Sequence, residues 1–220
     1  MSKPVVLVTG AAIGIGRACA QTFANAGWHV VVTDVLDDAG CALAASITAA
    51  GGSAEYLRFD VRSTPQADRV VHDITERFGA IDCVVANAGI AHKVPLEQLS
   101  DAKWDETFEI DLKGMLRAIR PAVPAMKARG RGAIICVSSI MGVAYGWDEH
   151  THYSSAKAGV VGLVRGLAVE LARSGIRVNG VAPGYIRTCK SNRNSPAYCS
   201  ANHVPMLGSG EVNSCGRYTK

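Results

Sequence analysis

Six short apolar runs alternate with longer stretches of helical spacing along this chain, and that alternation most restricts what it can fold into. The runs lie at residues 5–8, 28–33, 54–59, 81–86, 133–137 and 177–181. Short, continuous apolar runs of this kind fit strands buried on both faces of a parallel sheet. Between them, residues 15–26, 37–50, 65–78, 101–129 and 154–174 place apolar side chains three and four apart, the period of an amphipathic helix. Gly27, Gly51, Gly79, Gly130 and Gly175 stand where helices end. Strand–helix alternation of this kind implies right-handed crossovers and a doubly wound α/β sheet. A chain of 220 residues holds one such domain. The expected division is a domain over 1–188 and an irregular tail over 189–220, where Ser, Asn and Gly accumulate and no period persists.

Charge and cysteine usage narrow the function classes. The net charge of +4 is concentrated at the end, where residues 187–220 carry five basic side chains and one acid, Glu211. The rest of the chain is balanced, which argues against a nucleic-acid-binding surface. No apolar run reaches the roughly 20 residues of a membrane helix, so no membrane partner is expected. The strand-like run begins at Val5 and leaves no room for a secretory leader, so a cytoplasmic location is expected. The 7 cysteines include no Cys-x-x-Cys, and none pairs with a histidine at ligand spacing, so reduced thiols and no metal site are expected.

The sharpest local signal is Thr9-Gly10-Ala11-Ala12-Ile13-Gly14-Ile15-Gly16, between the first strand and the first helix. Glycines at Gly10, Gly14 and Gly16 permit a tight turn and a close approach of backbone to a pyrophosphate. The helix beginning near Ile15 offers it free N–H groups and a partial positive charge. Glycine triplets alone are weak evidence, but here a strand precedes, a helix follows and an acid stands further on, the context of a dinucleotide fingerprint and a Rossmann-like sheet. The acid is Asp34, at the end of the second strand. Its carboxylate can accept from ribose hydroxyls and would repel a 2′-phosphate. The 11–13 loop holds no Arg or Lys and Val35 follows Asp34, so the expected cofactor is NAD rather than NADP.

Further along, Tyr153 and Lys157 are spaced to share one helix face. A phenol is a poor base near neutral pH, and an ammonium beside it stabilises its phenolate. A tyrosine so placed can exchange a proton with a substrate oxygen. Ser139, just past the fifth strand, can hydrogen-bond the same oxygen. Any amphipathic helix can place Tyr and Lys four apart, but the small residues Ser154, Ser155, Ala156, Ala158 and Gly159 around them leave room for a cofactor and for close helix packing. No Gly-x-Ser-x-Gly surrounds Ser138 or Ser139, so a serine nucleophile is the weaker reading.

These elements, in order and in register, resemble the short-chain dehydrogenase/reductase family. Thr9-Gly10-x-x-x-Gly14-x-Gly16 is similar to its cofactor turn. Asp60-Val61 resembles its adenine-contacting pair, Asn87-Ala88-Gly89 its strand-four motif, and Pro183-Gly184-Tyr185-Ile186-Arg187-Thr188 its Pro-Gly loop. The resemblance implies catalytic roles for Ser139, Tyr153, Lys157 and Asp111. It implies cofactor contacts from Gly10, Gly14, Ile15, Gly16, Asp34, Asp60, Val61, Asn87, Ala88, Gly89, Tyr153, Lys157, Pro183, Gly184, Ile186 and Thr188. The implied reaction is NAD-dependent hydride exchange with a secondary alcohol or ketone, with a sugar or polyol suggested by the polar, aromatic segment 145–152. In the family, helices matching 101–129 and 154–174 pair across a two-fold axis, which implies a homodimer.

Two features depart from the family pattern. Asp111 stands where the family usually has Asn, placing a carboxylate in the field of Lys157. Beyond Cys189 nothing resembles the family's usual lid, last helix and last strand, so a truncated ending, a dimer rather than a tetramer, and a sheet without that strand are expected. The competing reading is a catalytically weak NAD-binding homologue. A generic likeness to 3-oxoacyl-carrier-protein reductases is weakened by Asp34, because most of those use NADPH.

Overall fold

Short, largely apolar runs form six parallel strands: β1 (Val5–Thr9), β2 (His29–Asp34), β3 (Ser53–Arg58), β4 (Cys83–Ala86), β5 (Gly132–Val137) and β6 (Ile176–Val181). The structure is a computed structural model and describes residues 3–188. The strand order is β3-β2-β1-β4-β5-β6. Successive residues of a strand point to opposite faces. Val5 and Leu7 enter one core and Val6 and Val8 the other, and all four are at most 2% exposed. A strand buried on both sides has no polar face to alternate with, so the central β1 and β4 read as almost wholly apolar, whereas the edge strands β3 and β6 carry exposed polar residues.

Two helices cover one face: α1 (Gly14–Asn25) through Ala20 and Ala24, and α2 (Asp37–Ala49) through Leu43 and Ile47. The other face carries α3 (Thr64–Phe78), α4 (Asp101–Asp111), α5 (Lys113–Ile119), α6 (Val123–Arg129) and α7 (Thr151–Leu171). Ser63 caps α3 by accepting from the Gln66 N–H, and Ser100 caps α4 by accepting from Lys103 N–H. Such caps satisfy otherwise orphaned amides.

The expected helix over 101–129 is instead three helices with a 3₁₀ turn at Arg120–Ala122. Pro121 and Pro124 lack the N–H that continuity requires. The first break, at Leu112, has a tertiary cause. Arg117 Nη1 donates to the Glu109 carbonyl at 3.2 Å, and Leu112 packs where a Cβ on Gly159 of α7 would stand. Helix α7 begins at Thr151, three residues before the apolar period, so Tyr153 lies in its first turn.

The winding reverses at β1, which pairs with β2 on one side and β4 on the other. Open parallel sheets form a crevice beyond the strand C-termini at such a point. The irregular tail expected over 189–220, and with it the expected lack of the family's lid and last strand, falls outside the described residues.

Candidate active site

A cleft of about 770 Å³ opens over the C-terminal ends of β1, β2, β4 and β5. At its floor, Gly10 turns with φ +61, and a Cβ there would stand 2.8 Å from Ala88 Cα. Gly14 also has positive φ, +64, and with Ile15 it lines the cleft. Helix α1 has no side-chain cap from Ile13 and no acid in its first turn, an arrangement that favours a phosphate at its amides.

Gly16 does not line the cleft with the other fingerprint glycines. A Cβ there would lie 2.2 Å from the Gly10 carbonyl oxygen and 2.6 Å from Asn87 Nδ2. Its role is to let α1 sit against the turn. Asn87 lines the cleft, yet its Nδ2 donates to the carbonyls of Thr9 and Gly10 at 2.9 and 3.0 Å. Thr9 Oγ1 accepts in return from the N–H groups of Asn87 and Ala88. Asn87 thus joins β4 to the glycine turn, and Ala88 and Gly89 form the neighbouring wall.

Toward the adenosine end, Asp34 is 8% exposed and lines the cleft. Its carboxylate accepts from the N–H groups of Ala12, Val35 and Leu36 at 3.0, 2.8 and 3.1 Å, which fix its orientation. Asp60 and Val61 form the opposite wall. Arg62 grips Asp60 through Nε and Nη2 and holds its carboxyl below the usual carboxylate range, against the opposing effect of burial. The sequence reading missed Arg58. It faces Asp34 across the β2–β3 register, donates to the Val35 carbonyl at 3.0 Å and pairs with Asp37. A guanidinium therefore does stand beside Asp34, committed to Asp37.

At the other end, Ser139, Tyr153, Lys157 and Asp111 come together on the cleft. Lys157 is 3% exposed, donates to the Val137 carbonyl at 3.1 Å and lies 5.6 Å from the Tyr153 ring centroid. Its ammonium is 3.2 Å from Asp111 Oδ2, and Asp111, wholly buried, also accepts from Ile90 N–H at 2.8 Å. The expected carboxylate in the field of Lys157 is a direct ion pair. Ser138 ties β5 to α7 by donating to the Lys157 carbonyl, and Ser139 Oγ accepts from Met141 N–H. Pro183, Gly184, Ile186 and Thr188 close the cleft above the glycine turn, with Thr188 3.8 Å from the Cβ position of Gly14.

Beside Ser139 and Tyr153 a chamber of about 210 Å³ is lined by Ile140, Met141, Trp147, His150, Tyr185 and Ile186 among others. The Trp147 ring lies 5.9 Å from Tyr185 and 6.2 Å from His150, and His150 lies 6.3 Å from Tyr153. Val94 N–H donates to the carbonyl of Glu149, a residue at φ 60, fastening the β4–α4 loop to the β5–α7 loop. No group of His, Cys, Asp and Glu suited to a metal occurs among the described residues. No described helix is long and apolar enough to cross a membrane.

The sequence pattern described as short chain dehydrogenase matches residues 4–198. The chain is 45% identical over 188 residues to a cis-4-hydroxycyclohexanecarboxylate dehydrogenase of Sinomonas cyclohexanicum, covering 85% of this chain and 75% of that protein. It is 36% identical over 184 residues to a 3-oxoacyl-[acyl-carrier-protein] reductase of Thermotoga maritima, covering 84% and 74%. Among solved structures it is similar to one from Beutenbergia cavernae that carries the name of an NAD(P)-dependent gluconate 5-dehydrogenase, with NADP bound at low occupancy. That likeness has a TM-score of 0.81 and 34% identity over 87% of this chain and 76% of the other.

Proposed function

Because the chain belongs to the short-chain dehydrogenase family, whose members are nicotinamide-dependent oxidoreductases acting on alcohol and carbonyl groups, we propose that it interconverts a compact cyclic secondary alcohol and its ketone, with NAD(H) preferred. The observation that carries this reading is the meeting of Ser139, Tyr153 and Lys157 on one cleft with the glycine turn and Asp34. A cradle that a Cβ at Gly10 would fill, beside an uncapped helix start, fits a dinucleotide. Gly10, Gly14 and Ile15 would hold its phosphates, Asp34 its ribose, Asp60 and Val61 its adenine, and Gly89, Lys157, Pro183, Gly184, Ile186 and Thr188 its nicotinamide half. The bound nicotinamide supplies acceptance or donation of a hydride. Tyr153 takes the hydroxyl proton during oxidation and returns it during reduction. Ser139 orients the same oxygen, and Lys157 holds positive charge beneath Tyr153. Residues 1–188 form the cofactor-binding and catalytic unit of this reading.

The preference for NAD rests on Asp34. A carboxylate fixed by three N–H groups cannot turn away from a 2′-phosphate. Two like charges about 4 Å apart repel by roughly 4 kcal/mol at an effective dielectric of 20. Arg58, already paired with Asp37, offsets little of this. NADH should therefore bind at least about tenfold more tightly than NADPH, a difference of ~1.4 kcal/mol. Equal affinities, measured by quenching of intrinsic fluorescence, would refute the assignment.

A compact ring is supported by the aromatic chamber and by relatives named for hydroxycyclohexanecarboxylate and gluconate. Sugars and polyols belong to the same hydroxyl-bearing class. NAD reduction with a panel of cyclic and acyclic secondary alcohols tests it, and turnover confined to acyclic substrates would overturn it. Helices α4 and α7 supply the proposed two-fold homodimer interface. On α7 Val160 is fully buried, while Val169, 80% exposed, presents apolar surface. Light scattering at micromolar concentration should give twice the chain mass.

A further inference from the structure

His150 occupies the N-cap position of α7 but makes no capping bond. Its ring instead meets the Asp148 carbonyl through Nδ1 at 2.7 Å. A carbonyl oxygen only accepts, so Nδ1 carries the hydrogen. In the neutral ring Nε2 is then an acceptor. No described residue takes that nitrogen, and His150 lines the chamber beside Tyr153. The other ring walls are Trp147 and Tyr185, while Ile140, Met141 and Ile186 contribute only apolar surface.

From this we infer that His150 is a specificity residue that accepts a hydrogen bond from a second hydroxyl of the substrate, making the substrate class a cyclic vicinal diol rather than a monohydroxy ring. The inference rests on the reading of the cleft as an alcohol dehydrogenase site and adds one further recognition point. Tyr153 and Ser139 hold the reacting oxygen, and the His150 ring centroid lies 6.3 Å from that of Tyr153. A hydroxyl on the carbon beside the reacting one lies a few ångströms away and can reach Nε2 as donor. Trp147 and Tyr185 cover the apolar C–H face of the ring, the usual way in which a sugar-like ring is held against aromatic side chains. A monohydroxy ring of the same size would forgo this hydrogen bond, and a site that pairs a substrate hydroxyl discriminates against the analogue lacking it. The backbone bond from Val94 to Glu149 and the Nδ1 bond to Asp148 fix the loop that presents the ring.

The test compares trans-cyclohexane-1,2-diol with cyclohexanol. The native protein with NAD should favour the diol at least tenfold in kcat/KM, mainly through a lower KM. His150→Phe keeps a ring of similar size but has no acceptor, and should bring the ratio to about one. His150→Gln keeps an acceptor and should restore part of the preference. Calorimetric binding of the two alcohols to the NAD-loaded native protein needs no turnover and should rank them in the same order. A native protein that treats both alcohols alike, or a His150→Phe variant that keeps the preference, overturns the inference. Failure of both alcohols to turn over, with the diol still bound more tightly, would overturn the proposed reaction and leave the recognition by His150 standing.

Discussion

Replacing Gly16 by alanine places one methyl group where the backbone of the cofactor turn already stands. The new Cβ would lie 2.2 Å from Gly10 O, 2.6 Å from Asn87 Nδ2 and 2.9 Å from Ala11 Cα. None of these is the free end of a flexible side chain. Two are backbone atoms, and Asn87 is held by two hydrogen bonds to the turn it supports. Overpacking against such neighbours costs about 3 kcal/mol, the upper end of the usual range. Alanine returns up to about 1 kcal/mol through its helix propensity relative to glycine. The net loss is roughly 2 kcal/mol, which for a domain of this size lowers Tm by about 4–8 °C. Relief requires Gly10 or α1 to shift, so the amides at the start of α1 leave their positions and NADH affinity falls as well. Calorimetry for Tm and fluorescence titration for NADH read the two effects. A variant with native Tm and native NADH affinity would refute the packing role assigned to Gly16.

Three further outcomes follow from the site. Tyr153→Phe removes the proton-transferring hydroxyl while keeping the ring, so turnover should fall about 100-fold or more with NADH binding little changed, as read by steady-state kinetics and titration. Asp111→Asn leaves the buried Lys157 ammonium without its carboxylate, and breaking such a pair costs about 3–5 kcal/mol, a loss urea unfolding would register. The double variant Asp111→Asn with Lys157→Met should recover part of that loss, and simple additivity would argue against the pair. Burial holds the His152 imidazole below its ordinary value of 6.5. The unfolded chain therefore takes up a proton that the folded chain refuses, and stability declines as pH falls from about 6.5. His152→Gln should flatten that part of the stability–pH curve.

The strands were legible because burial on both faces demands β-branched residues without alternation, as at Val30, Val31 and Val32, none of them exposed. The glycine turn was legible because a positive φ and a close approach leave few residue types acceptable. What escaped the sequence depends on partners distant along the chain. The break at Leu112 is set by Arg117 and by α7, so the uninterrupted apolar spacing over 101–129 concealed it. Arg58 reaches Asp34 through strand register rather than through any motif, and it escaped for that reason. At Gly16 the spacing marked the turn, and the structure adds that its missing side chain lets α1 pack against Gly10 and Asn87.

Arg117 is 7% exposed, and it draws separate parts of the chain onto one guanidinium. It donates to Thr64 Oγ1, to the Val61 carbonyl and to both the carbonyl and the carboxylate of Glu109. Val61 lines the cleft, and Glu109 lies two residues before Asp111, the partner of Lys157. Regions fastened in this way open together rather than separately. Amide hydrogens around Val61 and around Asp111 should consequently exchange with solvent as a single cooperative unit, with one opening free energy. The two ends of the cleft, assigned to different halves of the cofactor, then share one local melting event.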